Sequence, residues 1–477
     1  MLPMDTINLT KIENSQLTKR RIRYIFPNHT NWKIFKLIHE YLIKQFFDTV
    51  RTEANIQQSA TTHKKVSILI NRFVNWLERF GEVSQDQYNF WASTSGQKAK
   101  SLYYRNPLLG AALVAPFVLL DAFLPASRKW FWNRQRFPIA DAHFAMGFAF
   151  LFQATGVEEY YYKAVHFLNE LQRTRCPGYK HHGWGYPFDW ITNGGLNKRF
   201  TPLITTTPYV YEAFAAVYEI DGSEQWLDIM QSIAEHVATD YAEKEIKKNV
   251  RVCSYIPLDK LVDIKFHHVV NANSYRAFML SEAANRFGNN KYGEIAEGNL
   301  NFVLNAQQLD GSWLYATDGS DPFIDHFHTC FVLKNLIKIE RLTRLQRCTE
   351  AIQQGKEFYL AHLIDEAGLP RPFAKTQRIV LYRRELYDYA ESINLAILQR
   401  EKDNRFEKIL DAQLSDLFSR WQKPDGSFRT RQLLLGWNNV PYHRWGQSQL
   451  FRSLSFLLLL QAKSKRIQTA NCQLCVE

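Results

Sequence analysis

The chain has 477 residues, a formal net charge of +12 and 14% aromatic residues. That length allows up to three domains, but no Pro/Gly/Ser-rich linker interrupts residues 107–465, which predicts one large domain behind an N-terminal extension. The charge favours an anionic partner. Nucleic acid is disfavoured because the basic residues are dispersed and no groove-reading module is present, and phosphate-loop, dinucleotide-binding and nucleophile-elbow motifs are missing.

The N-terminus has no apolar stretch behind a basic start, so no secretory signal is read. Six cysteines show no disulfide framework, and Cys472 and Cys475 lack the second pair of a zinc site. Reduced thiols in a cytoplasmic chain, with membrane association open, are expected. Ile34 to Val50 predicts a first amphipathic helix, and Val66, Leu69, Ile70, Phe73, Leu77 and Phe80 a second. Residues 1–95 thus read as a helical extension that caps or lines the main domain.

Pro107 to Pro125 is apolar but broken by Pro116 and Asp121, too poor for a spanning helix, and reads as a buried helix of the main domain. Residues 127–137 (SRKWFWNRQRF) mix basic and aromatic side chains; this suits either a solvated loop with anchoring aromatics or a peripheral contact with lipid headgroups. Paired helical patterns follow at roughly 139–174, 206–241, 272–309, 324–364 and 385–421, with a last helix near 443–463.

Two repeats organise these patterns. Gly156, Gly222 and Gly288 stand 66 residues apart, each four residues before an aromatic, and mark the turns of helical hairpins. Gln307–Trp313 (QQLDGSW) and Gln422–Phe428 (QKPDGSF) share a glutamine, an Asp-Gly-Ser turn and an aromatic that packs back; Gln172–Trp184 keeps half of the pattern. With a helix borrowed from 107–124 the hairpins number about six. The predicted fold is an all-α toroid over residues 96–465, with an inner and an outer ring of helices and a flexible tail at 466–477. Long loops then precede the inner helices at one rim, and polar residues on those loops are the candidates for a site.

His181–Trp190 (HHGWGYPFDW) combines aromatic faces that stack on sugar rings with directed hydrogen-bonding groups, so His182 and Asp189 are candidate catalytic residues and Trp184, Tyr186 and Trp190 candidate binding residues, against the alternative of a packed structural loop. Asp325 and His326 should lie at a helix N-terminus, as catalytic groups or, for Asp325, as a cap, with His328 a core histidine. On a helix Asp325, His326, His328 and Cys330 point apart, which disfavours zinc; no metal and no cofactor is expected. Arg378, Arg383 and Arg384 around Tyr387 could clamp a sugar carboxylate while Tyr387 or a histidine removes the adjacent proton. Asn271, Asn273, His443 and Arg444, near other helix starts, complete the binding set. Asp189, His182, Trp184, Asp325, His326, Arg383 and Tyr387 are expected to share one positively biased cavity.

The Q-x-x-D-G-S-W unit resembles the repeat of squalene and terpenoid cyclases and of protein prenyltransferase β-subunits, which implies an α/α toroid; the cyclase acid motif Asp-x-Asp-Asp is absent. Phe137–Phe148, His181–Trp190, Thr201–Phe214, Asp310–Thr329 and Tyr442–Leu454 resemble toroid proteins of bacterial exopolysaccharide biosynthesis clusters. The resemblance implies assembly or modification of a glycan or a lipid-linked glycan precursor. Lyase-like or uronyl-epimerase-like proton abstraction on an acidic glycan fits the residues. The alternatives are a glycoside hydrolase using Asp189 and Asp325, a noncatalytic glycan-binding or scaffold subunit, and an isoprenoid-binding protein.

Overall fold

A computed structural model of the chain describes residues 64–474 apart from Asn193, residues 262–264 and Arg378. The predicted helix at Ile34–Val50 and the candidate Arg378 lie outside the described residues. The helices used below are α1 (residues 64–80), α2 (Thr94–Arg105), α3 (Pro107–Phe123), α4 (Pro138–Thr155), α5 (Glu158–Arg173), α6 (Thr207–Asp221) and α7 (Glu224–Thr239). They continue with α8 (Val270–Phe287), α9 (Asn290–Asn305), α10 (His326–Thr343), α11 (Gln346–His362), α12 (Leu386–Gln399), α13 (Arg405–Asp416) and α14 (Ser448–Leu474).

Sequence pattern separates two classes of helix. In α5 the buried residues Ala164, Phe167, Leu168 and Leu171 form one stripe at helical spacing, leaving the opposite face to water. In α12 every residue from Leu386 to Gln399 is buried, so this helix is covered on all sides. The all-round buried class, α4, α6, α8, α10, α12 and α14, forms the inner ring: α4 touches α6 and α14, α8 touches α6 and α10, and α12 touches α10 and α14. The striped helices α5, α7, α9, α11 and α13 form the outer ring. This is an α/α toroid.

Gly156, Gly222 and Gly288 take left-handed φ of 74°, 63° and 64° and end α4, α6 and α8, as the 66-residue repeat predicts. Arg344 makes the equivalent turn after α10 at φ 58° without a glycine. All the short inner-to-outer turns therefore lie at one rim and the long connections at the other. The long connections carry four small antiparallel sheets: β1 (Trp190–Thr192) with β2 (Gly195–Asn197), β3 (Tyr241–Lys247) with β4 (Val250–Pro257), β5 (Ile324–Asp325) with β6 (Phe373–Lys375), and β7 (Tyr382–Glu385) with β8 (Arg431–Leu433) and β9 (Trp437–Asn438).

The Asp-Gly-Ser motifs clamp each turn to the next outer helix. Gln307 donates to Gly311 O at 3.0 Å and to Ala351 O of α11 at 2.9 Å, while Asp310 Oδ1 accepts from the Ser312 backbone at 3.0 Å. In the second copy Gln422 donates to Gly426 O at 3.1 Å and to Leu69 O of α1 at 2.8 Å. Helix α1 is therefore the outer partner that completes the sixth hairpin with α14, and Phe73 stacks on Phe451 at 5.3 Å. The helix at 107–123, expected to supply that position, does not: only Gly110 and Ala122 of α3 are buried.

Because the inner helices face one another along the axis, their polar residues must satisfy each other. Glu391 of α12 pairs with Lys334 of α10 and accepts from Arg452 of α14 at 3.2 Å; Arg452 also lies 3.3 Å from His143 of α4, and Tyr209 of α6 meets Tyr275 of α8 at 2.7 Å. Burial would raise the Glu391 pKa, but the charges of Lys334 and Arg452 prevail and hold it below the ordinary value.

Candidate functional site

At the long-loop rim, α10 begins where β5 ends. Asp325 caps the helix, its Oδ1 accepting the His328 backbone N–H at 3.1 Å, and its Oδ2 lies 2.7 Å from His328 Nδ1. A carboxylate can only accept, so Nδ1 donates and the lone pair of the neutral ring is left on Nε2. Nε2 has no partner among the described residues, and the imidazole side chain is 23% exposed. Tyr315 at 4.7 Å and Phe327 at 4.4 Å enclose the ring, and Asn271, Phe323 and Trp313 complete a small pocket with Asp325 and His328.

Beside this pocket Phe327 stacks on Tyr387 at 5.0 Å, and Tyr387 packs against Trp445 at 5.0 Å. The Tyr387 ring is buried inside that aromatic cluster and packs there against other side chains. One turn into α12, Asp388 is 1% exposed and neither carboxylate oxygen has a hydrogen-bond partner among the described residues. Burial, with Glu385 and Asp325 adding negative charge, pushes its pKa well above the ordinary carboxylate value, against the pull of Arg431. This environment disfavours the charged form of Asp388. Glu385 accepts from Arg431 at 2.7 Å and from the Trp445 indole at 2.6 Å, and Arg431 reaches Asp121 of α3 at 3.4 Å.

The structure brings Asp325, Tyr387 and Asn271 to this pocket and its aromatic wall; Asn271 Oδ1 is buried there without a partner. Tyr186, Trp190 and Arg444 lie along the same rim, with the Arg444 guanidinium 4.5 Å over the Tyr186 ring and Tyr186 5.7 Å from Trp190. The expected single cavity is otherwise not formed. His326 points away from the pocket: its Nδ1 lies 3.1 Å from Arg371 O and its Nε2 3.0 Å from the Tyr359 hydroxyl of outer helix α11. His182 bonds Ser232 of outer helix α7 at 2.8 Å and Arg175 at 3.1 Å.

Trp184 is fully buried and donates to Leu171 O at 2.7 Å, as Trp313 donates to Val303 O at 3.0 Å. It is the packed aromatic of the half-matching third repeat, a structural role. Asn273 donates to Val269 O at 2.8 Å and accepts the Cys253 N–H at 2.8 Å, tying α8 to β4. His443 is buried against Gly81 O at 2.9 Å and locks the end of α1 to the start of α14. Asp189 accepts the Arg199 backbone N–H at 2.7 Å across the open end of the β1–β2 hairpin.

Two of the four arginines expected to bias the cleft are neutralised. Arg444 makes a bidentate pair with Asp86 at 2.6 and 2.8 Å, Arg384 pairs with Asp365 at 2.6 Å and donates to Pro370 O, and Arg383 is exposed. The sequence pattern points to His326 as a site residue and to His328 as a core residue, whereas the structure turns His326 to the outer ring and lines the pocket with His328; Asp388 carries no sequence motif. The usable signal was spacing: a carboxylate cap reaches the side chain three residues on, at the same helical face, and Asp388 stands in a helix apolar enough to be buried on every side.

No protein-family profile matches the chain, and no curated protein sequence does. Among solved structures the chain is similar to a cellobiose 2-epimerase from Bacillus thermoamylovorans B4167, at 12% identity over 68% of this chain and 87% of that one, TM-score 0.52. It is also similar to a D-mannose isomerase, at 14% identity over 68% and 87%, TM-score 0.50, and to an unsaturated glucuronyl hydrolase specific for heparin, at 10% identity over 69% and 88%, TM-score 0.52. At these identities the likeness is one of fold.

Proposed function

We propose that the chain is a sugar-active enzyme that moves a proton to and from a carbon next to a carbonyl. His328 is the base, Asp325 orients it and Asp388 is the proton donor. The observation that carries this reading is the imidazole held through Nδ1 by a buried carboxylate, with the ring lining an aromatic pocket at the loop rim. His328 Nε2 takes the proton from carbon, the C–H electron pair becomes the double bond of an enediol, and the carbonyl oxygen takes the proton of Asp388. Return of that proton from His328 to the neighbouring carbon, as Asp388 regains one from the enediol hydroxyl, gives an isomer; return to the original carbon after the enediol has turned over, so that its other face meets His328, gives an epimer.

The sugar enzymes among the similar structures support the substrate class, and the resemblance to exopolysaccharide-cluster proteins supports a place in glycan assembly or modification. The same abstraction from a uronate would serve a lyase or uronyl epimerase. The pairing of Arg384 and Arg444 with carboxylates favours an uncharged sugar unit at the mouth. The hydrolytic alternative is weaker because Asp325 is committed to His328 and to its helix, and Asp189 to Arg199.

The test is to incubate the purified chain in D2O with mannose, cellobiose and a glucuronate disaccharide and follow exchange of carbon-bound protons by NMR. Deuterium at the carbon next to the carbonyl supports the reading. No exchange on any probe, with binding retained, would replace it with a glycan-binding subunit.

A further inference from the structure

Beside the mouth, α2 and α3 form a hairpin in which Gly110 lets α3 lie directly against Tyr103. Along α3 and just beyond it Leu108, Leu109, Leu113, Leu119, Phe123 and Leu124 are each more than half exposed, and Trp130 is 73% exposed. An apolar surface of that length is what an interaction site presents to water. The helix is about 25 Å long at 1.5 Å per residue, short of a bilayer core of roughly 30 Å, and no helix among the described residues is long and apolar enough to cross a membrane.

Charge identifies the occupant. Residues 94–137 carry seven Lys and Arg against one acid, Asp121, and that acid is taken up by Arg128 and Arg431. Lys98, Arg105 and Lys129 are exposed around the apolar helix. A second copy meeting this patch about a two-fold axis would bring like charges together, and residues 1–63, with nine basic and five acidic side chains, are net basic too. An anionic bilayer surface satisfies both the apolar side chains and the cations.

We infer that the α2–α3 hairpin and Trp130 form a membrane-docking surface that lies in the headgroup layer of an anionic bilayer. Because Asp121 of α3 also holds Arg431, and Arg431 holds Glu385 at the mouth, docking places the site's rim at the lipid surface, within reach of a glycan carried on lipid.

The test is sedimentation of the full chain with phosphatidylglycerol–phosphatidylcholine vesicles, read without any sugar and so independent of the proposed chemistry. The wild type is expected to partition onto them, and the pair Leu113→Gln and Leu119→Gln to lower that partition at least tenfold with an unchanged circular dichroism spectrum. Leu309→Gln, at a fully exposed leucine on the turn before α10, should leave it unchanged. A wild-type chain that stays in the supernatant, equal binding by the pair variant, or a dimer in light scattering that the same pair dissociates would each overturn the inference.

Discussion

Oδ2 of Asp325 lies 2.7 Å from Nδ1 of His328, three residues further along the same helix turn, and the same carboxylate caps the helix through the His328 backbone N–H. One carboxylate therefore fixes both the start of α10 and the tautomer of the imidazole. His326, two residues earlier, points to the outer ring and bonds Tyr359. The two histidines should separate chemistry from stability.

His328→Ala is expected to lower proton exchange on the active probe by at least ~10²-fold, the usual loss when a general base is removed, with little change in melting temperature. His326→Ala should do the reverse, keeping exchange in the folded protein while costing about 2–3 kcal/mol for the lost hydrogen bonds and the cavity. Urea denaturation and exchange by NMR, measured on both variants, check the split.

Asp388 titrates in the opposite sense to a salt-bridged carboxylate. Its folded pKa is raised above the unfolded value, so its contribution to stability is complete below about pH 4 and is lost as pH rises through the folded pKa. Asp388→Asn removes that loss, and the stability difference between variant and wild type should shift in favour of the variant as pH rises from 4 to 8. Melting curves across that range test it. The same variant should lose exchange activity, because an amide cannot give up the proton.

Three buried histidines set the acid limit, and burial holds His143 well below the ordinary value. Burial pushes both His326 and His443 down to about 4. A depressed histidine gives stability that is present above the unfolded value of about 6.5 and is lost as pH falls toward 4. The chain should therefore weaken steadily between pH 6.5 and 4, by up to about 3 kcal/mol for each histidine. His443→Gln should flatten that slope, as read by urea midpoints at successive pH values.

Much of the fold was legible because repeats report geometry directly. The 66-residue spacing of Gly156, Gly222 and Gly288 encodes left-handed turns that glycine makes at least cost. Gln307 and Gln422 encode the same clamp at the two Asp-Gly-Ser turns. Pattern alone could not place α1 and α3, because partner choice in the ring depends on contacts made hundreds of residues away, such as Gln422 with Leu69. The site was legible only in outline. Its arginines were visible, but the carboxylates that neutralise them, Asp86 and Asp365, stand on other segments.

Those pairings make a prediction about salt. Binding of a neutral oligosaccharide at the mouth should change little between 0.1 and 1 M salt, although the Debye length falls from about 10 to about 3 Å. An acidic oligosaccharide should bind no more tightly. Titration calorimetry with a matched charged and neutral pair checks this, and a steep salt-dependent preference for the charged one would restore the acidic-substrate reading.

The sixth hairpin is assembled from the two ends of the described chain, α1 and α14, with Phe73 against Phe451 and Gln422 bonded to Leu69. A ribosome making this protein therefore releases α1 long before its partner exists. At about 5–20 residues per second, the interval between residue 80 and residue 448 lasts roughly 20–75 s, during which the Phe73 and Trp76 face has no α14 to cover it. The earliest outer helix is thus the last to be enclosed, and newly made chains carry an open seam that a chaperone, or another unfinished chain, can occupy until the final helix emerges.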